Sequence, residues 1–167
     1  VAILSTESDG KPVAFGKTGM IAIDREDPGL MIGYLGEDGR NKFRDGWFLT
    51  GDLGQMQSDG SVRYMGRYDD VMTAGGYRVS PIEVEARLIT HPKIQTVAVK
   101  DVNIRADTRV IAAFYTSEND IQEAELHAFA SQRLARYKQP RIYTRVSALP
   151  VGPNGKLLRR NLSLSGD

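Results

Sequence analysis

Short apolar runs separated by glycine and polar clusters dominate the first third of the chain, a pattern typical of β-strands. Strands are predicted over residues 13–15, 20–24, 30–34, 47–50, 53–57 and 62–66. A charged loop is predicted over 24–29, and a polar stretch with helical character over 36–45. Ser58-Asp59-Gly60 predicts a hairpin turn, because Asp-Gly supplies the positive φ that a tight reversal needs. The region is therefore expected to be part of a barrel or of an antiparallel sheet.

The pattern changes past about residue 69, where helical and strand periodicities alternate. Ser80-Pro81-Ile82-Glu83 predicts a capping box that opens a helix ending near His91-Pro92, with Ile82, Ala86 and Ile89 on one face and Val84 and Leu88 beside them. Strands are predicted over 95–102, 109–116 and 142–146, a second helix over 123–134, and a short basic helix after Lys156. This second part reads as a small α+β domain.

Composition narrows the functional classes. The 167 residues carry a net charge of +1, with acidic and basic side chains interspersed, so nothing favours a nucleic-acid partner. The chain has no cysteine, and His91 and His127 lie far apart, so no metal site is predicted. No apolar run approaches the roughly 18 residues of a membrane span. Because the chain begins with Val1 and reads like mid-sequence, we expect a fragment of a longer protein.

Three strings carry candidate chemistry. The first, Gly46-Trp47-Phe48-Leu49-Thr50-Gly51-Asp52-Leu53-Gly54, has glycines that let the backbone bend around the Asp52 carboxylate. A carboxylate held in this way can accept both hydroxyl groups of a ribose. Alternatively, the string is a hairpin in which Asp52 caps its own turn, and the string by itself does not choose between the two.

The second string is Gly66-Arg67-Tyr68-Asp69-Asp70, followed by Gly75-Gly76-Tyr77-Arg78-Val79-Ser80-Pro81. An arginine directly before two carboxylates, at the point where the pattern changes, indicates a domain junction, and residues that flank such a hinge can absorb a large φ/ψ change. The alternative is an exposed turn with a local Arg–Asp pair.

The third string, Pro153-Asn154-Gly155-Lys156, presents a lysine that can enter a polar site as a point charge. Its alternative is a solvated basic tail. It is not a Walker loop, because the earlier glycine of that motif is absent.

The order and spacing of the three strings, together with Gly29-Leu30-Met31-Ile32-Gly33-Tyr34-Leu35-Gly36, resemble the final motifs of the adenylate-forming superfamily. That superfamily includes AMP-forming acyl-CoA synthetases, aryl-CoA ligases, adenylation domains of peptide synthetases, and luciferases. The resemblance covers roughly residues 17–163. It implies an acid–thiol ligase that uses ATP to form an acyl-adenylate, then forms an acyl-CoA thioester and releases AMP and pyrophosphate.

The resemblance also implies residue roles. Asp52 would bind the ribose hydroxyls with Arg67 beside it, and Asp69 would be the hinge. Lys156 would bridge the attacking carboxylate and the α-phosphate in the first half-reaction. After rotation about the hinge, Gly75, Gly76 and Tyr77 would shape the pantetheine tunnel from a different face of the small domain than Lys156. Arg136 and Lys138 are candidates for the coenzyme A phosphates, although an exposed charged helix end explains them equally well.

The implied fold class is α+β. Residues 1–68 would be an incomplete, β-rich, barrel-like piece of the body domain, and 69–167 the mobile lid, a three-stranded sheet with flanking helices. The incomplete piece is expected to be less ordered or to associate. The implied ligands are ATP or AMP, coenzyme A, a carboxylic acid and Mg²⁺, the ion held mainly by the missing amino-terminal body domain. Fatty acid metabolism and a cytoplasmic location are implied as well.

Two departures limit the expected activity. The phosphate-gripping loop and the adenine and acyl pockets are missing, so the chain alone is predicted to be inactive. Thr73 stands where luciferases and some other members have a lysine, which disfavours a luciferase-type reaction. Two alternatives stay open: an adenylation domain that loads a carrier protein, and a stand-alone, non-catalytic domain that binds a nucleotide or a partner protein.

Overall fold

A computed structural model describes residues 1–7, 10–33, 42–105 and 108–164 of the chain. It divides into two compact units, Val1–Asp69 and Asp70–Asp167. The predicted division lay between residues 68 and 69. The interpretation of the units as a body piece and a lid stays a prediction.

The first unit is a five-stranded antiparallel sheet organised around one long strand. Its strands, in chain order, are β1 (Ala2–Leu4), β2 (Thr18–Asp24), β3 (Phe43–Arg44), β4 (Trp47–Met56) and β5 (Val62–Arg67). β4 pairs with β2 along one side and with β3 and β5 along the other, while β1 pairs with the free side of β2. The predicted turn joins β4 to β5, with Gly60 at φ +84°.

The strand pattern of this unit was predicted only in part. Strands over 20–24 and 62–66 are confirmed. The two predicted strands on either side of Thr50-Gly51-Asp52 are one continuous strand, because the Thr50 hydroxyl donates to the Ile21 carbonyl oxygen at 2.9 Å and keeps the segment in the sheet. Strands over 13–15 and 30–33 are wrong, and the strand at 2–4 was missed.

The polar stretch predicted to have helical character falls largely outside the described residues, as does Tyr34. Where it is described, Phe43–Arg44 forms a strand instead. The strand is explained by pairing: Phe43 lies opposite Phe48 in the ladder with β4, and the two ring centroids are 5.3 Å apart. Cross-strand aromatic contacts of this kind stabilise a sheet edge.

The second unit is a three-stranded sheet with two helices on one face. Its elements are the hairpin β6 (Met72–Ala74) and β7 (Tyr77–Val79), helix α1 (Pro81–Leu88), strands β8 (Thr96–Arg105) and β9 (Thr108–Thr116), helix α2 (Glu123–Ser131) and strand β10 (Ile142–Arg145). β9 is central, antiparallel to β8 and parallel to β10. Single 3₁₀ turns occur at Tyr68–Asp70, Arg136–Lys138 and Arg159–Asn161. The predicted α+β class is confirmed.

Both faces of this sheet are covered. Ile111 and Ala113 of β9 pack with Val84 and Leu88 of α1, while the alternate residue Phe114 packs with Leu162 of the carboxyl-terminal segment. This alternation is what a period of two along a strand produces. The carboxyl-terminal segment thus closes the core instead of trailing as a tail.

Helix α1 differs from its predicted form in two ways. Ser80 occupies the N-cap position, but its side chain makes no capping hydrogen bond, so the capping box is wrong. Glu83, the expected partner in that box, binds Lys138 instead. The buried face carries Val84 and Leu88, whereas Ile82 and Ile89 are exposed. In the described part of the chain, no helix has both the length and the apolarity to cross a membrane.

Candidate functional site

Asp52 and Arg67 form the first cluster, and the sheet register brings them together. Their Cα positions are direct partners in the ladder between β4 and β5. Arg67 Nη1 donates to Asp52 Oδ1 at 3.1 Å and to the Thr50 carbonyl oxygen at 3.2 Å. The arginine therefore pairs with a carboxylate 15 residues earlier, and the local Arg–Asp turn considered as an alternative is not what forms.

Gly51 makes room for this pair. Its φ is +79°, and an added Cβ would lie 2.9 Å from Arg67 Nη2. Any other residue here would adopt a strained backbone and push the guanidinium away from Asp52. The Asp52 amide donates to Thr50 Oγ1 at 3.0 Å, so the carboxylate projects from backbone that is fixed on both sides. Asp52 does not cap its own turn, since it lies inside β4.

Gly75 and Gly76 form the turn of the β6–β7 hairpin, both at positive φ (+55° and +83°). Two consecutive positive φ values are the signature of the tight two-residue turn that glycine pairs favour. Tyr77 follows the turn, and its ring lies 4.5 Å from that of Tyr137, centroid to centroid. The hairpin tip is therefore held against the 3₁₀ turn that carries Arg136 and Lys138.

A cavity of about 330 Å³ opens beside this tip. Gly75, Tyr137 and three arginines, Arg109, Arg136 and Arg141, contribute to its lining. Arg109 also binds Asp101 at 3.0 Å. The cavity can hold a small anionic group, because guanidinium forks match phosphate and carboxylate geometry. Sequence reasoning found Arg136 but missed Arg109 and Arg141, which reach the cavity only through the pairing of β9 with its neighbours.

Lys138 is occupied inside the protein. Its Nζ donates to Glu83 Oε1 at 2.5 Å, and this hydrogen bond raises the pKa of Lys138 above its ordinary value. Lys138 thus stays protonated and joins the 3₁₀ turn to helix α1 through this ion pair. Of the two predicted phosphate contacts, Arg136 lines the cavity and Lys138 forms a structural ion pair.

Lys156 lies near the tip of a small hairpin over residues 150–158 (the Lys156 hairpin). The Leu158 amide donates to the Pro150 carbonyl oxygen and the Gly152 amide to that of Lys156, each at 2.8 Å. Gly155 has a φ of +73°, and the Asn154 side chain accepts from the Lys156 amide at 3.2 Å. The lysine is exposed on well-defined backbone.

Two further predictions concern the hinge and the faces of the second unit. Asp69 is the last residue of the first unit and lies in the 3₁₀ turn Tyr68–Asp70. That turn is the place where a hinge would act, and the hinge role stays a prediction. The opposite placement of Lys156 and the Gly75-Gly76-Tyr77 turn also stays a prediction. In the described ranges, no group of three or more His, Asp or Glu side chains is arranged to hold a metal ion.

Comparisons with known proteins place these features in a family. Residues 83–156 match the family described as AMP-binding enzyme C-terminal domain. The chain is 35% identical over 161 residues to 2-succinylbenzoate–CoA ligase of Bacillus licheniformis, covering 95% of this chain and 33% of that protein. The fold matches o-succinylbenzoate CoA synthetase from Bacillus subtilis, solved with its acyl-adenylate intermediate OSB-AMP, with a TM-score of 0.88 and 27% identity over 99% of this chain and 34% of that chain.

The chain belongs to the adenylate-forming superfamily. A further relative in that superfamily is the dimodular nonribosomal peptide synthase of Bacillus subtilis, 33% identical over 163 residues, covering 91% of this chain and 7% of the synthase. The chain thus spans 33% of the ligase and far less of the synthase.

The family match covers only some of the candidate site residues. The family match ends at Lys156, so most of the Lys156 hairpin lies inside the matched region. Asp52, Arg67 and the β6–β7 hairpin lie before residue 83, in the part covered by the longer alignments with whole relatives. The roles of individual residues therefore rest on the geometry described above and are taken up as proposals.

Proposed function

We propose that this chain is the carboxyl-terminal part of an AMP-forming acyl-CoA synthetase, an acid–thiol ligase. The observation that carries the proposal is the placement of two separate sets of polar groups. The Asp52–Arg67 pair lies on a sheet of the first unit, and Lys156 is held outward on a hairpin of the second. The missing amino-terminal body domain would supply the phosphate loop, the acyl pocket and most of the Mg²⁺ contacts. The chain by itself would therefore be inactive.

In the first half-reaction, the Asp52 carboxylate accepts hydrogen bonds from the ribose hydroxyls of ATP, and Arg67 holds that carboxylate in place through its hydrogen bond. Lys156 approaches the bond-forming centre, where the carboxylate of the acid attacks the α-phosphate and pyrophosphate leaves. Negative charge is concentrated there in the transition state. A cation placed at that point in a water-poor site stabilises the transition state more than the ground state.

In the second half-reaction, the second unit turns about Asp69 and presents Gly75, Gly76 and Tyr77. Glycines at the turn leave room for the narrow pantetheine arm, since no side chain blocks its approach. The arginine-lined cavity beside Gly75 receives a phosphate of coenzyme A, with Arg136 as the contact already expected from the sequence. The thiol attacks the acyl-adenylate and AMP leaves. Lys138 supports this region through Glu83.

The test is carboxylate-dependent ATP–pyrophosphate exchange by the full parent polypeptide, across short, medium, long-chain and aryl acids. We expect exchange with at least one acid class, and a loss on the order of 10²- to 10³-fold in Lys156→Ala. Arg160→Ala, which removes an exposed cation four residues later, should retain the wild-type rate. The 167-residue chain alone should show no exchange with any acid.

No exchange by the parent with any acid, or a Lys156→Ala variant that matches the wild type, would overturn the ligase proposal. The stand-alone binding domain would then be the better interpretation. A fatty acid as the preferred substrate would place the enzyme in fatty acid metabolism. A cytoplasmic location stays a prediction.

A second candidate is an adenylation domain that loads the phosphopantetheine arm of a carrier protein, favoured by the match to the nonribosomal peptide synthase. Both candidates share the first half-reaction and differ in the thiol acceptor. After exchange has identified the acid, product formation is compared with free coenzyme A and with a phosphopantetheinylated carrier protein. Thioester formed on coenzyme A supports the ligase, and thioester formed only on the carrier supports the second candidate.

A further inference from the structure

Arg159 lies at the centre of a charged cluster that neither half-reaction uses. Its guanidinium binds the Glu85 carboxylate of α1 through Nη1 and Nη2. Nη1 also donates to the Val99 carbonyl oxygen of β8 at 2.6 Å, and Nε lies 3.5 Å from Asp70 Oδ2. The arginine and glutamate side chains are only 12% and 17% exposed. Charged groups withdrawn from water to this degree need close partners, because pairing and hydrogen bonds must offset the cost of desolvation.

The cluster is completed by the backbone. The Val99 amide donates to Glu85 Oε1 at 2.7 Å, so α1, β8 and the carboxyl-terminal segment share one hydrogen-bond network. Arg159 Nε is buried and, within the described residues, has no hydrogen-bond partner, although the Asp70 carboxylate faces it. The fork of the guanidinium is thus fixed by Glu85 and Val99, and its remaining edge is directed at Asp70.

Arg159 lies at the base of the Lys156 hairpin. Arg159 directly follows Leu158, whose amide closes the Lys156 hairpin on Pro150. The backbone is held again one and three residues after Arg159, because Lys100 Nζ donates to the carbonyl oxygens of Arg160 and Leu162 at 2.9 and 3.2 Å. Asp70, at the other edge of the guanidinium, is the neighbour of the proposed hinge residue Asp69. One side chain therefore connects the base of the Lys156 hairpin with the residue that follows the hinge.

We infer that Arg159 is a positioning residue for Lys156. It fixes the base of the Lys156 hairpin to α1, β8 and Asp70, so that the lysine follows the second unit as a rigid part of it when the unit turns. The inference rests on the proposed function, since Lys156 has its role only in adenylation. A hairpin released at its base would still form but would deliver the lysine with a spread of positions, and a displacement of about 1 Å can cost on the order of 10²-fold in rate.

The first experiment is hydrogen–deuterium exchange on the 167-residue chain, which needs no activity. Arg159→Met removes the fork and is compared with Arg160→Met, the same change in the same 3₁₀ turn at an exposed side chain. Because Arg159→Met leaves the Glu85 carboxylate without its cation, the double variant Arg159→Met/Glu85→Gln is included to remove both charges. We expect faster exchange over residues 150–158 in both Arg159 variants and not in Arg160→Met. Equal exchange in all variants overturns the inference whatever the enzyme does.

The second experiment separates the half-reactions in the parent polypeptide. We expect the Arg159 variants to lower the maximal rate of ATP–pyrophosphate exchange by about 10- to 100-fold with little change in the KM for ATP. Thioester formation from supplied acyl-adenylate should stay near the wild-type rate, because that step uses the Gly75-Gly76-Tyr77 surface. A general loss of folded protein would lower both half-reactions together and would contradict the inference. Absence of exchange in the wild type would instead count against the proposed function.

Discussion

Arg67 Nη1 and Asp52 Oδ1 lie 3.1 Å apart across directly opposed positions of β4 and β5. Their side chains remain 48% and 30% exposed, so a ligand can reach the carboxylate. An ion pair this open contributes only about 0.2–1 kcal/mol to stability. The pair is therefore better explained by presenting the Asp52 carboxylate to a ligand than by stabilising the sheet.

Asp52→Asn should weaken ATP binding in the parent enzyme while changing stability by less than about 1 kcal/mol. Hydrogen bonds to a charged group contribute roughly 1.5–3 kcal/mol, so the KM for ATP should rise about 10- to 100-fold. The measurement is ATP–pyrophosphate exchange as a function of ATP concentration. Asp59→Asn makes the same change at the exposed turn of the same hairpin and should leave the KM unaltered. An unchanged KM in Asp52→Asn would remove the ribose role.

Gly51→Ala should destabilise the first unit more than Gly60→Ala does. Both glycines have positive φ, +79° and +84°, so both alanines carry the left-handed strain of about 1–2 kcal/mol. Only at Gly51 would the new Cβ approach the Arg67 guanidinium, at 2.9 Å, whereas nothing lies within 4 Å at Gly60. The difference between the two variants therefore isolates the contact with Arg67.

Denaturant unfolding of the 167-residue chain, followed by tryptophan fluorescence, measures this difference. Trp47 is the single tryptophan and lies in β4, so its signal reports on the first unit. Equal losses in free energy of unfolding would show that Arg67 moves aside at no cost, and that Gly51 is needed only for its backbone conformation.

Local patterns predicted helices α1 and α2 and strands β8, β9 and β10, because each of these carries its own periodicity, but they missed the β6–β7 hairpin. Residues 109–116 alternate between the two faces of the sheet, and the bounds of β9 came out within one residue. Helix α2 was predicted too long, because the apolar residue Leu134 belongs to the core but follows the end of the helix at Ser131. The spacing of apolar residues shows which positions are buried, and here buried positions continue beyond the last helical residue of α2.

The charged contacts could not be predicted, because they depend on tertiary pairing. Glu83 and Ser80 have the spacing of a capping box, yet Glu83 binds Lys138, which lies 55 residues later. Arg159 lies in the basic segment for which a solvated tail was the alternative interpretation, and only the fold brings it against Glu85 and Val99. The pairing of Asp52 with Arg67 likewise follows from register. The resemblance to a family placed Arg67 beside Asp52, and the structure supplied the register and the hydrogen bond that join them.

Tyr77→Ala should slow thioester formation without affecting adenylation. The Tyr77 ring packs on Tyr137 at 4.5 Å and holds the Gly75-Gly76 turn beside the arginine-lined cavity. Without the ring, the turn loses this support, and the second half-reaction should fall on the order of 10-fold or more. Tyr77→Phe keeps the ring and removes only the hydroxyl, so it should behave like the wild type. The rate of acyl transfer from supplied acyl-adenylate to coenzyme A measures both variants.

A fall in the ATP–pyrophosphate exchange rate equal to the fall in thioester formation would contradict this assignment, because it would place Tyr77 in both half-reactions. A large effect of Tyr77→Phe would instead assign the contribution to the hydroxyl. The stacking of the two tyrosines would then be incidental.

The stability of the second unit should fall as the pH is lowered below about 6.5, through His91. This side chain is 3% exposed, and its Nδ1 accepts the Lys93 amide at 3.2 Å while Nε2 lies 3.3 Å from Glu125 Oε1. Burial is the main cause that lowers the pKa of His91 below its ordinary value, although Glu125 opposes the shift. The neutral ring also suits the geometry, since protonation would remove the acceptor for the Lys93 amide.

The sign follows from proton binding. Between the ordinary pKa of 6.5 and the lower pKa of the folded state, the unfolded chain binds more protons than the folded chain. The free energy of unfolding therefore decreases as the pH falls through this window, by at most about 1.4 kcal/mol per pH unit for one group. The Lys93 hydrogen bond lowers the pKa of Glu125, so that carboxyl group titrates at a more acidic pH.

Denaturant unfolding of the second unit at several pH values from 7.5 to about 5.5, followed by circular dichroism, checks this prediction. His91→Gln should lose the decrease in stability across the window even if its stability at pH 7.5 is lower. His127→Gln, at a side chain that is 42% exposed, should retain the wild-type slope. If His91→Gln kept the full pH dependence, another group would be responsible, and the buried neutral ring would have no part in the response of the unit to acid.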